Sequence, residues 1–71
     1  MNTLDWDSIY EIVLELEALY PQSDLDTVGL KTLYEMVIGL PDFVDDPALG
    51  NDAVLTVILR EWYEERNDVW S

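Results

Sequence analysis

Asp7, Glu11 and Glu15 stand four residues apart. On a helix that spacing stacks like charges in one row, each pair costing roughly 0.2–0.5 kcal/mol in isolation. Such a row gains when a cation or a basic surface arrives; otherwise it is a solvated face that keeps the chain dispersed. A second group, Asp42, Asp45, Asp46 and Asp52, surrounds a proline-containing stretch. Its oxygens suit a hard cation such as calcium, magnesium, manganese or iron. Turn and capping roles account for Asp42, Asp46 and Asp52 equally well. The chain has no histidine and no cysteine, so carboxylates and water alone would hold any metal. At an exposed position that means weak, exchangeable binding.

A third arrangement gives the alternative reading of a calcium-binding protein. Asp24, Asp26, Gly29 and Glu35 fall at positions 1, 3, 6 and 12 of an EF-hand loop. Against it, Val28 offers no side-chain oxygen and Lys31 adds a positive charge beside the ion. Catalytic chemistry finds less support. There is no imidazole base, no thiol and no glycine-rich phosphate loop, and Ser8, Ser23 and Ser71 lack a partner base. A carboxylate acid and base pair needs a cleft with one carboxyl desolvated, for which 71 residues leave little room. The chain reads as a non-enzyme.

Sixteen acidic residues against three basic ones give a net charge of -13 and a pI near 4.1. Only Lys31, Arg60 and Arg66 are available to neutralise phosphates, which excludes nucleic acid as a direct partner. Anionic membrane surfaces are disfavoured on the same ground, and the counterpart is a cation or a basic protein surface. Met1 to Asp7 lacks the basic and apolar regions of a signal peptide, and no stretch is long enough to span a bilayer. A cytoplasmic monomer is expected. At 49% hydrophobic, with Trp6, Trp62, Trp70, four tyrosines and Phe43, the chain has the composition of a folded domain and not of an acidic tail.

Three helices must position these groups. Apolar residues at Trp6, Ile9, Tyr10, Val13, Leu16, Leu19 and Tyr20 predict a helix over about 7–20, capped by Asp5 or Asp7 and limited by Pro21. Residues 22–29 form a polar connector with Asp24 and Asp26 as turn formers. A second helix is predicted over about 32–39, with Thr32 and Glu35 as a capping box, Leu33, Met36, Val37 and Leu40 inward, and Gly39 as a left-handed cap. Residues 40–50 form a loop in which Phe43 plugs the core, Asp42, Asp45 and Asp46 stay in water, and Asp46 and Pro47 open a single turn. Asn51 caps a third helix over about 51–66, with Val54, Leu55, Ile58, Leu59 and Trp62 inward. Trp6, Tyr10, Tyr20 and Trp62 are expected in the core. The tail 67–71 has no evident partner, with Trp70 a candidate to fold back.

The string Leu4-x-Trp6, Glu11-Ile12, Tyr20-Pro21, Asp24-x-x-Thr27-Val28, Leu40-x-Asp42-Phe43-x-Asp45-Asp46-Pro47, Asn51-Asp52, Leu55-x-x-Ile58 and Trp62-x-x-Glu65 resembles the IscX family of small acidic proteins of iron-sulfur cluster assembly. The likeness is colinear over nearly the whole chain. It implies a single domain over 1–71, an all-α three-helix fold related to the winged helix with the wing reduced or absent. It also implies weak iron binding through surface carboxylates and docking onto a basic patch of the cysteine desulfurase. On that reading Asp7, Glu11, Glu15, Asp42, Asp45, Asp46 and Asp52 form the partner-binding set. Asp7, Glu11, Glu15, Asp45 and Asp46 are the candidate iron ligands. Thr32, Val44 and Thr56 stand where the family pattern has a carboxylate, with Glu15 and Glu17 keeping helix one acidic, so docking is the better-supported half of the expectation.

Overall fold

The computed structural model describes residues 3–68, which leaves Trp70 outside the described residues. Three α-helices, α1 Ile9–Leu19, α2 Leu30–Ile38 and α3 Asp52–Asp68, carry the fold, with a 3-10 turn at Pro47–Leu49 before the last. The protein is all-α. The β pairing among the described residues is one isolated parallel bridge, Leu4 with Phe43, so no hairpin wing stands out from the helices.

Helix α1 starts later than its spacing predicts. The Asp5 carboxylate accepts the Asp7 backbone N–H at 2.9 Å and the Ser8 hydroxyl at 3.0 Å, which holds Asp7 and Ser8 in a turn ahead of the helix. Neither aspartate caps it; Ser8 stands at the cap position without a side-chain cap bond. Tyr20 closes the helix with φ -130° and ψ 56°, since the following Pro21 crowds it out of the helical region. The buried face is Ile12, Val13 and Leu16. Tyr10, expected inward, lies two residues from Ile12 on the opposite side of the helix and is 60% exposed. Leu19 and Tyr20 are exposed as well.

Helix α2 begins two residues earlier than predicted, because Gly29 in extended backbone takes the cap position and Leu30 opens the helix against the core. Thr32 is therefore an interior helical residue and the expected capping box with Glu35 does not form. Gly39 ends the helix in a right-handed conformation, φ -85° and ψ -3°, not the left-handed one expected. Leu33 and Val37 face inward. At α3 the expected cap and inward face form: the Asn51 side chain accepts the Val54 N–H at 2.9 Å, Leu55, Ile58 and Trp62 are buried, and Val54 and Leu59 are partly buried beside them, while the helix runs on to Asp68, past the predicted end at about 66.

Helix α3 is the hub, packed chiefly on α1 and secondarily on α2. Leu4 and Trp6 from the N-terminal segment, Leu25 from the connector and Leu40 after α2 complete the core. The radius of gyration, 11.4 Å, matches the ~11 Å expected for a chain of this length. Among the described residues no helix is long and apolar enough to cross a membrane.

Candidate functional site

The loop between α2 and the 3-10 turn is built around one side chain, Trp6. Leu4 and the loop exchange backbone bonds, Leu4 N–H to Asp42 O at 2.8 Å and Val44 N–H to Leu4 O at 2.9 Å. This short pairing lays Trp6 over the core. Its indole N–H donates to Asp46 O at 2.9 Å. Phe43 meets the ring edge-on at 4.9 Å, and Tyr34 stacks on it with centroids 6.1 Å apart while its hydroxyl donates to Pro47 O at 2.9 Å.

Two of the loop aspartates serve this enclosure. Asp45 was expected in water; it is half-buried, and its carboxylate accepts the Trp6 N–H at 3.1 Å and the Asp46 N–H at 2.7 Å. Asp46 caps the 3-10 turn by accepting the Ala48 N–H at 2.9 Å, as its place before Pro47 predicts. Asp52 lies in the first turn of α3, where the helix dipole favours its charge. Asp7 is exposed in the turn ahead of α1. The row of three carboxylates thus reduces on the helix itself to the pair Glu11 and Glu15.

That pair is joined by one loop residue. Glu11, Glu15 and Asp42 rim a shallow depression of about 270 Å³, floored by Leu4 and Leu14. The bridge between Leu4 and Phe43 is what carries Asp42 to the side of α1. The three carboxylates are not close enough to chelate: among the described residues no three acidic side chains come together in a group able to hold a metal ion. That statement includes Asp24, Asp26 and Glu35 of the EF-like stretch, where Asp24 accepts the Asp26 N–H and Asp26 accepts the Tyr63 hydroxyl. The Tyr63 hydroxyl is held protonated above the usual tyrosine range, first by that hydrogen bond and then by the Asp26 charge.

The basic residues are as informative as the acids. Arg66 on α3 forks onto one Glu17 oxygen through Nε at 3.0 Å and Nη2 at 2.8 Å, and Trp62 donates to the same oxygen at 2.8 Å. The guanidinium also donates to Tyr20 O and Ser23 O, the carbonyls that follow α1, and lies over the Trp62 ring. Glu17 is therefore committed to an internal pair and adds nothing to the outer acidic face of α1. Sequence spacing could not show this, because the two partners lie far apart in the chain. With Arg66 engaged, Lys31 and Arg60 remain as exposed cations.

A larger depression of about 540 Å³ lies on the far side of α3, between Leu25, Val28, Leu59 and Tyr63 with Arg60 and Glu64 at its rim. Of the carboxylates singled out from the sequence, Asp26 of the EF-like stretch borders it, and none of the candidate partner-binding or iron-ligating set does.

Residues 4–67 match the profile of a family described as iron-sulphur cluster assembly. The chain is also 35% identical over 65 residues to an uncharacterised protein of Pseudomonas aeruginosa, an alignment covering 92% of this chain and 98% of that protein. The chain belongs to the iron-sulphur cluster assembly family. Within this iron-sulphur cluster assembly protein, the residues that carried the resemblance divide into two kinds. Leu4, Trp6, Phe43, Asp45, Asp46 and Pro47 build the tryptophan enclosure, and Leu55, Ile58 and Trp62 build the core. The side chains of Glu11, Asp42 and Asp52 are exposed and take no part in that scaffolding, to which Asp42 contributes only its backbone carbonyl.

Proposed function

We propose that this protein is a non-enzymatic acidic adaptor of iron-sulphur cluster assembly, acting as a cytoplasmic monomer that docks on a basic patch of the cysteine desulfurase. The observation that supports this reading is the gathering of Glu11, Glu15 and Asp42 around one depression on a chain of net charge -13. Asp7 and Asp52 extend the negative field at two helix beginnings. Such a surface steers a basic partner by long-range attraction and contributes most at low ionic strength.

Iron enters this picture as cargo held loosely. The arrangement of the carboxylates does not fit a closed metal centre, since no three of them gather among the described residues. Asp45 and Asp46 spend oxygens on backbone N–H groups of the loop. Iron would therefore associate by charge and exchange quickly, and no step of the adaptor role runs through it.

Titration calorimetry against purified cysteine desulfurase tests the proposal. Binding is expected at low salt and should weaken steeply towards physiological ionic strength, because exposed charge pairs are screened. Absence of binding at low salt would refute the adaptor role.

A further inference from the structure

The outward face of α1 is not uniformly acidic. Tyr10 and Leu14 are 60% and 41% exposed, and Ala18, exposed too, continues the same line at four-residue spacing. Glu11 and Glu15 flank this stripe, Leu14 reaches the floor of the depression, and Asp42 closes its far rim. The spacing that gave a helix is satisfied without these side chains, because Ile12, Val13 and Leu16, with Ile9 partly buried against the same core, form the inward face.

An apolar stripe bordered by carboxylates narrows what can cover it. Anionic lipid and nucleic acid are repelled by the border and by the net charge of -13. A second copy would bring Glu11, Glu15 and Asp42 against their own kind. A protein surface with lysine or arginine around an apolar centre satisfies both features at once. At interfaces the rim charges act mainly on encounter, whereas a desolvated aromatic or aliphatic anchor sets the lifetime.

Resting on the adaptor reading above, we infer that Tyr10 and Leu14 are the apolar anchors of the docking face, and that Glu11, Glu15 and Asp42 steer the partner onto them. The partner's patch is accordingly basic at its edge and apolar at its centre. The two roles separate in kinetics. Replacing Tyr10 or Leu14 changes the off-rate and leaves the salt dependence alone, and neutralising the three acids changes the on-rate and flattens it.

The test uses full-length wild type and the variants Tyr10→Gln, Leu14→Gln and Glu11→Gln/Glu15→Gln/Asp42→Asn, each first checked for wild-type unfolding. Stopped-flow binding to cysteine desulfurase should show each apolar variant dissociating roughly tenfold faster, about what loss of one modest anchor produces. In parallel, two synthetic peptides of equal positive charge, one lysine and leucine, the other lysine and serine, are titrated with amide shifts followed by NMR. The leucine peptide should bind at least several-fold tighter and shift α1 around Tyr10 and Leu14. Binding of wild type to the peptide there, with none to the desulfurase, would uphold the anchors and sink the partner assignment. Normal dissociation of Tyr10→Gln and Leu14→Gln from a desulfurase that binds wild type would overturn the anchors. So would equal affinity for the two peptides, or shifts confined to the depression beside Arg60. A dimer in sedimentation that Leu14→Gln dissolves would give the face to a second copy and overturn the proposal.

Discussion

Trp6 is tied by its indole N–H, by its backbone N–H and by ring contacts to Tyr34 and Phe43. Gly50 comes up against the free side of that ring. A Cβ placed there would stand 2.6 Å and 2.8 Å from two ring carbons and 3.1 Å from Tyr34, well inside contact distance. The backbone at Gly50, φ -73° and ψ 133°, is open to any residue, so the glycine is required for room and not for conformation. Gly50→Ala should therefore lower stability by about 1–3 kcal/mol, the usual cost of forcing extra atoms into a packed site. Gly29→Ala, with nothing within 4 Å, is the control and should stay close to wild type. Urea unfolding followed by tryptophan emission measures both; a Gly50→Ala midpoint equal to wild type would mean the ring is free to move. At this scale the sequence was a partial guide to the site. It marked Asp45 as a metal or partner ligand by residue type, and only the fold reveals that its oxygens are taken by two backbone N–H groups.

Helix ends explain most of what was and was not legible. The first and third helices could be read from apolar spacing, and Asn51 and Asp46 cap as their types suggest because each precedes a turn with free N–H groups. The rotation of α1 could not be read, since Tyr10, Leu14 and Leu19 are apolar yet face solvent and only packing on α3 selects Ile12, Val13 and Leu16. The Thr32 and Glu35 box failed for a related reason: burial of Leu30 draws the start of α2 back to Gly29. Invisible in sequence altogether was the join between α1 and α3 made by Arg66, Glu17 and Trp62. Arg66→Met keeps the apolar stem over Trp62 but takes its donor from the Ser23 carbonyl and leaves Glu17 with the Trp62 indole N–H and the Tyr20 carbonyl with the Ser23 N–H. A loss of about 1–3 kcal/mol is expected, and Arg66→Lys should recover only part of it, because an ammonium has its donors on one nitrogen and cannot span the acceptors that the planar guanidinium reaches through three. Amide exchange should accelerate first in the last turns of α1 and α3. If exchange rose uniformly over the chain, the join would be an ordinary surface pair with no special hold on these ends.

For the molecule as a whole, charge and size act together. A net charge of -13 is carried on a body of 34 × 28 × 17 Å, and the described residues contain a single ion pair, Arg66 with Glu17. The Debye length is about 30 Å at 0.01 M salt and about 10 Å at 0.1 M, so at low salt every carboxylate feels nearly every other. Unfolding relieves that repulsion by expanding the chain from a radius of gyration of 11.4 Å to about 26 Å for a disordered chain of this length. Salt therefore favours the folded state, with only the part-buried Arg66–Glu17 pair, among the described residues, to weaken in return. Raising sodium chloride from 10 to 300 mM should stabilise the fold by about 1–2 kcal/mol, which at ~4–8 °C per kcal/mol is a rise in melting temperature of roughly 5–15 °C. A basic partner does the same work more locally, by placing its cations against Glu11, Glu15 and Asp42, so free protein in dilute salt is the least stable form. Thermal scans by circular dichroism across the salt series measure the effect, with sucrose as an uncharged control. A melting temperature that stays flat or falls with salt would show that the carboxylates are already screened from one another by their spacing, and would remove the electrostatic reason for this surface to seek a cationic partner.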